Sequence, residues 1–542
     1  MKVVIVGAVA GGMSAATRLR RLAPEHEIVV FERGTEVSYA NCGLPYHVGG
    51  VIPERADLIL QTPEGLRARF DLDVRTSTEV VAIDRAAGTV RVRETDGGRE
   101  YDEPWDRLVL SPGATPIVPD LPGIDRAVTL RTVADADRLT TLLRERRPAT
   151  AVVVGGGFIG LETAENLHRR GLRVTVVEQA DQVLAPLDPE LAAPVADELR
   201  RNGVAVVLGA ALTKVLPDAV ELADGRTIPA DLVVLAIGVR PETRLAAAAG
   251  LVLGPRGGIA VDAALRTSDP RIYAVGDAVE KPDRLDDAPA LVPLANTANR
   301  QGRLVADAIA GRPVRFTGRS GTAVVRVFGL TVAVTGANEK RLRAAGRAYQ
   351  AVHTHPASHA GYYPDAAPMS LKLLFDPAGG RILGAQGVGG EGVDKRIDVL
   401  ATALHAGLTV EQLADLELGY APQYGSAKDP VNMLGYVAEN LQVGLTRTVK
   451  WHELASRLAA GAHLIDVRSP AEYAAGHIPG SVNVPLDVLR DRLDELPPGE
   501  LVVYCQVGQR GHTATMLLRG TGLDASNLDG GYRTWAVAAG AR

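Results

Sequence analysis

Residues 151–179 read AVVVGGGFIGLETAENLHRRGLRVTVVEQ, and the order of residue types in this stretch decides the fold class. AVVV is a short apolar run that suits a buried strand. GGGFIG follows it and fits G-x-G-x-x-G as Gly155, Gly157 and Gly160. LETAENLHRRG then reads as a helix, and RVTVVEQ as a second strand. Glycine spacing alone is a weak signal, but strand, glycine turn, helix and strand in succession describe a dinucleotide-binding βαβ unit. The free N–H groups at the start of the helix favour a pyrophosphate. Glu178 ends the second strand, where a carboxylate can bind a ribose 2′-OH. It would repel a 2′-phosphate, and Gln179 supplies no positive charge, so the expectation is NADH.

An earlier copy lies at the N-terminus. VVIV at 3–6 is followed by GAVAGG at 7–12, the helical AATRLRRL and the strand EIVVFER at 27–33. Gly7 and Gly12 keep the outer positions, Val9 replaces the second glycine, and Gly11 is extra. Glu32 restores the ribose carboxylate. A nucleotide fold that precedes an NAD fold points to FAD. Asp277 in IYAVGDA, after a strand-end glycine, suits a ribityl hydroxyl. Gly113 in SPGATP goes with the FAD site and Gly238 in AIGVRP with the NAD site.

The fold class expected from these units is α/β. Two Rossmann-like dinucleotide-binding domains, an α+β domain and a C-terminal α/β domain are expected. The expected boundaries are 1–114 and 236–318 for the two parts of the FAD-binding domain and 115–235 for the NAD-binding domain. Residues 319–445 are expected to form the α+β domain and 446–542 the C-terminal α/β domain. GTAVVRVFGLTVAVTG and LKLLFD…RILGAQGVG read as antiparallel strands, and IDVLATALHAGLTVEQL as helix. A net charge of −5 argues against a nucleic-acid partner. No apolar run reaches the length of a transmembrane helix. The N-terminus starts on a strand with no cleavable signal pattern, and a cytoplasmic location is expected. No metal site is expected.

Only two cysteines are present, Cys42 and Cys505, which excludes a disulfide framework. The order of parts over residues 1–445 resembles the flavoprotein disulfide reductases with two dinucleotide domains. Most members carry a cysteine pair beside the flavin, whereas SYANCGLPY here has Cys42 alone. One thiol must form a mixed disulfide with a small thiol, a sulfenic acid or a persulfide. Its segment is expected to begin a helix, whose N-terminus stabilises thiolate.

SYANCGLPY, NTANRQGR at 296–303, SHAGYYP at 358–364 and LELGYAPQYGSAKDPVNM at 416–433 together resemble the coenzyme A-disulfide reductases. More narrowly they resemble the branch with a fused rhodanese domain, which includes NADH-dependent persulfide reductases. The resemblance implies that residues 319–445 are a dimerisation domain and that the protein is a homodimer with active sites shared across the interface. It makes Cys42 the attacking thiol, flanked by Ser38 and Asn41, which position the substrate. It gives Tyr362 and Tyr420, from the partner subunit, the role of proton donors to a departing thiolate; Tyr363 and Tyr424 remain alternatives. Gln423 departs from the family's usual YAPPY. Coenzyme A is anionic, and its expected basic contacts are Arg18 and Arg21, on one face of the first helix, and Lys428.

From 462 the chain reads AHLIDVRSPAEYAAGHIPGSVNVPL, later CQVGQRGH and NLDGGYRTW, and so the segment 446–542 resembles a rhodanese domain. Cys505 ends a strand and opens a loop whose N–H groups can converge on an anion, with Arg510 adding charge. Asp466 and Arg468 are expected to brace the loop. The implied activity is FAD- and NADH-dependent reduction of coenzyme A persulfide or polysulfide with release of sulfide, with Cys505 as sulfur carrier. Three alternatives stand beside it: a coenzyme A-disulfide reductase for thiol maintenance, an NADH peroxidase or oxidase, and a sulfur-sensing or docking module.

Overall fold

The computed structural model describes residues 1–540 and divides into two compact units. The first comprises Met1–Asp181 and Gly203–Gly321. Its larger parallel sheet runs in the order Ile272–Ala274, Arg107–Leu110, Lys2–Val6, Glu27–Phe31, Asp73–Arg75. The central strand is fully apolar and buried at Val3, Val4 and Ile5, as a strand covered on both faces must be. A helix at Ala10–Leu22 follows it, beginning five residues before the Ala-rich segment that the sequence singles out. It packs against the helix Ala295–Ile309. Gly302 explains that closeness: a Cβ there would stand 2.2 Å from the Gly11 carbonyl oxygen. A Cβ on Gly11, the extra glycine, would stand 2.9 Å from both Ser111 Oγ and Val275 Cγ2, so its lack of a side chain makes room for those neighbours.

The second parallel sheet runs Ala205–Val207, Arg173–Val177, Thr150–Val154, Leu232–Leu235. The helix Phe158–Arg169 follows its first strand in the chain. Short antiparallel strands Ala114–Pro116 and Val239–Pro241 pair where the chain crosses between the two sheets. Gly113 and Gly238, both at positive φ, stand just before them.

The second unit comprises Gln182–Asn202 and Thr322–Arg542. The helix Pro189–Arg201, which lies within the sequence of the NAD fold, thus groups with the C-terminal half. A five-stranded antiparallel sheet runs Ala323–Val327, Leu330–Gly336, Ile382–Gly389, Met369–Phe375, Gln350–Thr354. Helices Val393–Ala406 and Pro430–Gln442 cover it through Ile397, Leu400, Val431 and Leu434. The last segment forms a five-stranded parallel sheet, Thr448–Val449, Ala525–Leu528, Leu501–Tyr504, His463–Asp466, Val482–Asn483. Among the described residues no helix is long and apolar enough to cross a membrane.

Candidate active site

The two glycine loops share one geometry. Gly7 and Gly155 both take positive φ, 99° and 111°. A Cβ there would stand 2.1 Å from the Ser111 carbonyl oxygen and 2.3 Å from that of Ala236, respectively. Gly12 and Gly160 each lie so close to the first glycine of their loop that a Cβ would fall 1.9 Å from its carbonyl oxygen. At Gly157 a Cβ would meet nothing, which leaves open space above that loop. The two strand-end carboxylates reach back to the loops. Glu32 accepts from the Ala8 and Gly34 N–H groups, both at 2.9 Å. Glu178 accepts from Gly156 at 2.6 Å and Ala180 at 2.8 Å. Two tight glycine cradles, each with a carboxylate at the ribose position, fit two dinucleotides. Val9 does not spoil the first, because it sits at the helix N-cap in a non-glycine conformation (φ −111°).

The segment that bears Cys42 is tied to the first of these loops. The Ser38 N–H donates to the Ala8 carbonyl at 2.8 Å, and Ser38 itself holds a strained φ of 51°. A 3₁₀ turn, Asn41–Gly43, runs straight into the helix Leu44–Val48. The Asn41 amide donates to the Arg131 carbonyl at 3.5 Å. Cys42 is exposed. Tyr46 lies four residues on and so shares its face; its hydroxyl donates to Glu162 at 2.9 Å.

The electrostatics correct one expectation. The helical turn at Cys42 does not make it acidic. Desolvation and the Glu162 carboxylate push the Cys42 thiol up, Asp277 adds to this, and Arg131 opposes it. Glu162 is itself pushed up by burial, against the Tyr46 hydrogen bond. Asp277 does not stand alone either: it pairs with Arg131 at 2.8 Å. Arg131 and Glu162 are the site residues that sequence reading missed. Glu162 lies beyond the first turn of the helix Phe158–Arg169, a turn that holds no acidic residue, so it carried no local signal. Arg131 carried none either.

The basic face is also corrected. Arg18 forms an ion pair with Asp307 at 2.9 Å and is mostly buried, so only Arg21 presents an exposed guanidinium on that helix. Lys428 is exposed, directly before Asp429, which accepts from the buried Arg396 at 3.2 Å. Tyr362 and Tyr420 are brought together, with hydroxyls 2.7 Å apart on an exposed surface. Tyr424 is exposed without that link, and Tyr363 stacks edge-on against His359.

In the last domain Cys505 follows the strand Leu501–Tyr504 and is fully buried. Its loop runs into the helix Gln509–Gly520 through Gly508, at φ 91°. Asp466 and Arg468 pair at 2.7 Å, both buried, and Arg468 also donates to Gln506 of the loop at 3.0 Å. Arg510 is held by two hydrogen bonds to Glu472, at 2.8 and 2.6 Å, and also faces Cys505. Its charge is therefore shared with a carboxylate, which the sequence reading did not include.

A family model described as "Pyridine nucleotide-disulphide oxidoreductase" matches residues 1–302, more than half of the chain. The chain belongs to that family. The family's dimerisation domain matches residues 322–430, and a rhodanese-like domain matches 450–538. FAD and NAD(H) are the cofactors of the family and of this chain, in keeping with the two cradles. A coenzyme A disulfide reductase of Staphylococcus aureus is 36% identical over 439 residues, which is 81% of this chain and all of that protein. The structure of reduced Bacillus anthracis CoADR-RHD matches with a TM-score of 0.99 and 48% identity, over 100% of this chain and 98% of that one. The structure of an NAD-dependent persulfide reductase from A. fulgidus matches with a TM-score of 0.93 and 38% identity, over 99% and 100%. The chain is a flavoprotein oxidoreductase of the disulfide reductase type with a rhodanese domain.

Proposed function

We propose that the chain reduces a persulfide carried on coenzyme A with electrons from NADH, releasing sulfide. The observation that carries this reading is a single accessible thiol, Cys42, tied to the first nucleotide loop in a chain that also holds a buried rhodanese cysteine. FAD, when bound, passes an electron pair from NADH to sulfur. Cys42 thiolate attacks the persulfide RSSH. At the inner sulfur it forms Cys42–S–S–R and expels HS⁻; at the outer sulfur it forms Cys42–S–SH and expels RS⁻. Two electrons then return Cys42 to thiolate, and the sum is RSSH + NADH + H⁺ → RSH + H₂S + NAD⁺. Arg131 stabilises the thiolate against Glu162 and Asp277. Ser38 and Asn41 position the substrate, and Arg21 and Lys428 face the phosphates of coenzyme A. The Tyr362–Tyr420 pair, supplied across a homodimer interface, gives a proton to the departing thiolate. Cys505 carries sulfane sulfur as a persulfide.

The A. fulgidus persulfide reductase supports persulfide over thiol maintenance, since it matches over 99% of this chain, rhodanese segment included, whereas the S. aureus disulfide reductase is matched in full by only 81% of it. The deciding experiment is anaerobic NADH oxidation with sulfide quantified. Coenzyme A persulfide, coenzyme A disulfide and peroxide are offered in parallel. Equal amounts of sulfide and NAD⁺ on the persulfide, lost in Cys42→Ser, are expected. Faster turnover of the disulfide would make the enzyme a thiol-pool reductase, and faster turnover of peroxide would overturn the substrate.

A further inference from the structure

The second unit holds a buried cluster of charges that the proposed reaction does not use. Lys372, fully buried, contacts Asp188 at 2.9 Å and also meets Glu190 and Glu339. Arg343 and the Tyr349 hydroxyl close on Glu339 from outside. His353 on the strand Gln350–Thr354 bridges from this cluster into the rhodanese segment. Its Nε2 lies 3.0 Å from Glu190 and its Nδ1 2.8 Å from Asp529. Lys450 pairs with Asp529 at 2.9 Å.

Two ring nitrogens each facing a carboxylate oxygen must both donate, so His353 is an imidazolium. Charge counting agrees. Asp188, Glu190, Glu339 and Asp529 are balanced by Lys372, Arg343, Lys450 and protonated His353. A buried group of this kind persists only when every charge is matched. The neighbouring His355 is the contrast. It lies between the hydroxyls of Ser370 and Thr534, at 2.9 and 2.8 Å, and its pKa is pushed down to about 3 by burial and then by Arg533 and His353.

From Asp529 the chain runs directly to the Cys505 loop. Gly530 and Gly531 take positive φ in succession, 70° and 62°. A Cβ on Gly530 would stand 3.0 Å from the His353 Cβ; one on Gly531 would stand 2.4 Å from the Cys505 carbonyl oxygen. The next two N–H groups hold the loop itself. Tyr532 donates to the Cys505 carbonyl at 2.8 Å, and Arg533 to that of Gln506 at 3.0 Å.

We infer that His353 is a positioning residue for the rhodanese site: held between Glu190 and Asp529, it sets the Asp529–Arg533 turn that shapes the Cys505 loop. The consequence for sulfur transfer rests on the reading of Cys505 as a carrier; the consequence for loop shape does not. His353 is raised above its ordinary pKa because Asp529 and Glu190 outweigh burial and the opposing Lys372. Its contribution is therefore present at neutral pH and lost as pH rises through its folded pKa. Glu190 and Asp529 are held well below the carboxylate range, so acid breaks the bridge only far below neutrality.

The test uses full-length holoenzyme carrying Cys42→Ser, so that Cys505 is the only thiol. Its alkylation by iodoacetamide and its loading from glutathione persulfide are followed by intact mass from about pH 6 to about pH 10. With His353 present, both rates, corrected for thiolate fraction, should fall on the alkaline side. His353→Gln and Asp529→Asn should slow both roughly tenfold at neutral pH and abolish that alkaline fall. Unchanged rates with an unchanged alkaline limb in His353→Gln would overturn the inference. Should either variant fail to fold, amide exchange of residues 529–533 in the His353 protein decides. Protection that drops at alkaline pH supports the inference, and protection constant with pH refutes it. Alkylation that follows the pattern without any persulfide uptake would remove the carrier reading and leave the positioning role standing.

Discussion

The two cysteines of this chain occupy opposite settings. Cys42 lies on an exposed turn, with two carboxylates and one arginine acting on it. Cys505 is fully buried at a strand end, beneath a loop that opens a twelve-residue helix. Both sites share one device, an arginine held by a carboxylate near the sulfur: Arg131 by Asp277 at 2.8 Å, and Arg510 by Glu472 at 2.6 Å. Such a pair fixes where the cation points while cancelling much of its charge. The lesson is that access, more than local charge, separates the two thiols. An exposed thiol suits a mixed disulfide with a bulky carrier. A buried one suits a sulfane sulfur held as a persulfide away from solvent.

That contrast can be broken at either end. Cys42→Ser should lower NADH-coupled sulfide release by about three orders of magnitude or more, yet leave loading of Cys505 by persulfide intact by mass spectrometry. Cys505→Ser should abolish loading and leave NADH-driven reduction of coenzyme A disulfide unchanged in steady-state assays. Tyr420→Phe removes one phenol of the 2.7 Å pair, and kcat on the persulfide should fall roughly a hundredfold if that phenol is the acid, with little change in KM. The smallest effect sharpens the electrostatic side. Glu162→Gln removes a charge that pushes Cys42 up, so the pH midpoint of Cys42 alkylation should move to lower pH in a Cys505→Ser background. A midpoint that stays put or rises would show that Glu162 does not govern this thiol.

Much of the fold was legible because strands and glycine turns are local. The apolar runs at 3–6 and 151–154 and the glycines after them depend on backbone sterics within a few residues, and they fold as read. Glu32 and Glu178 were legible for the same reason, as they end the strand next to their loop. Arg18 was not, because its partner Asp307 is nearly the whole first unit away in sequence. The same holds for Arg131, 89 positions from Cys42 and 146 from Asp277.

By itself, then, the sequence determined the two nucleotide folds, the pair of lone cysteines and the rhodanese string, since each is written in contiguous residues with fixed backbone demands. Only the tertiary structure decided the state of those groups. It raised the Cys42 thiol, paired Arg510 with Glu472, moved the helix Pro189–Arg201 into the second unit, and there enclosed His353 between Glu190 and Asp529. The physical reason is that desolvation and charge pairing depend on which distant segments meet, and no local pattern of residues encodes that meeting.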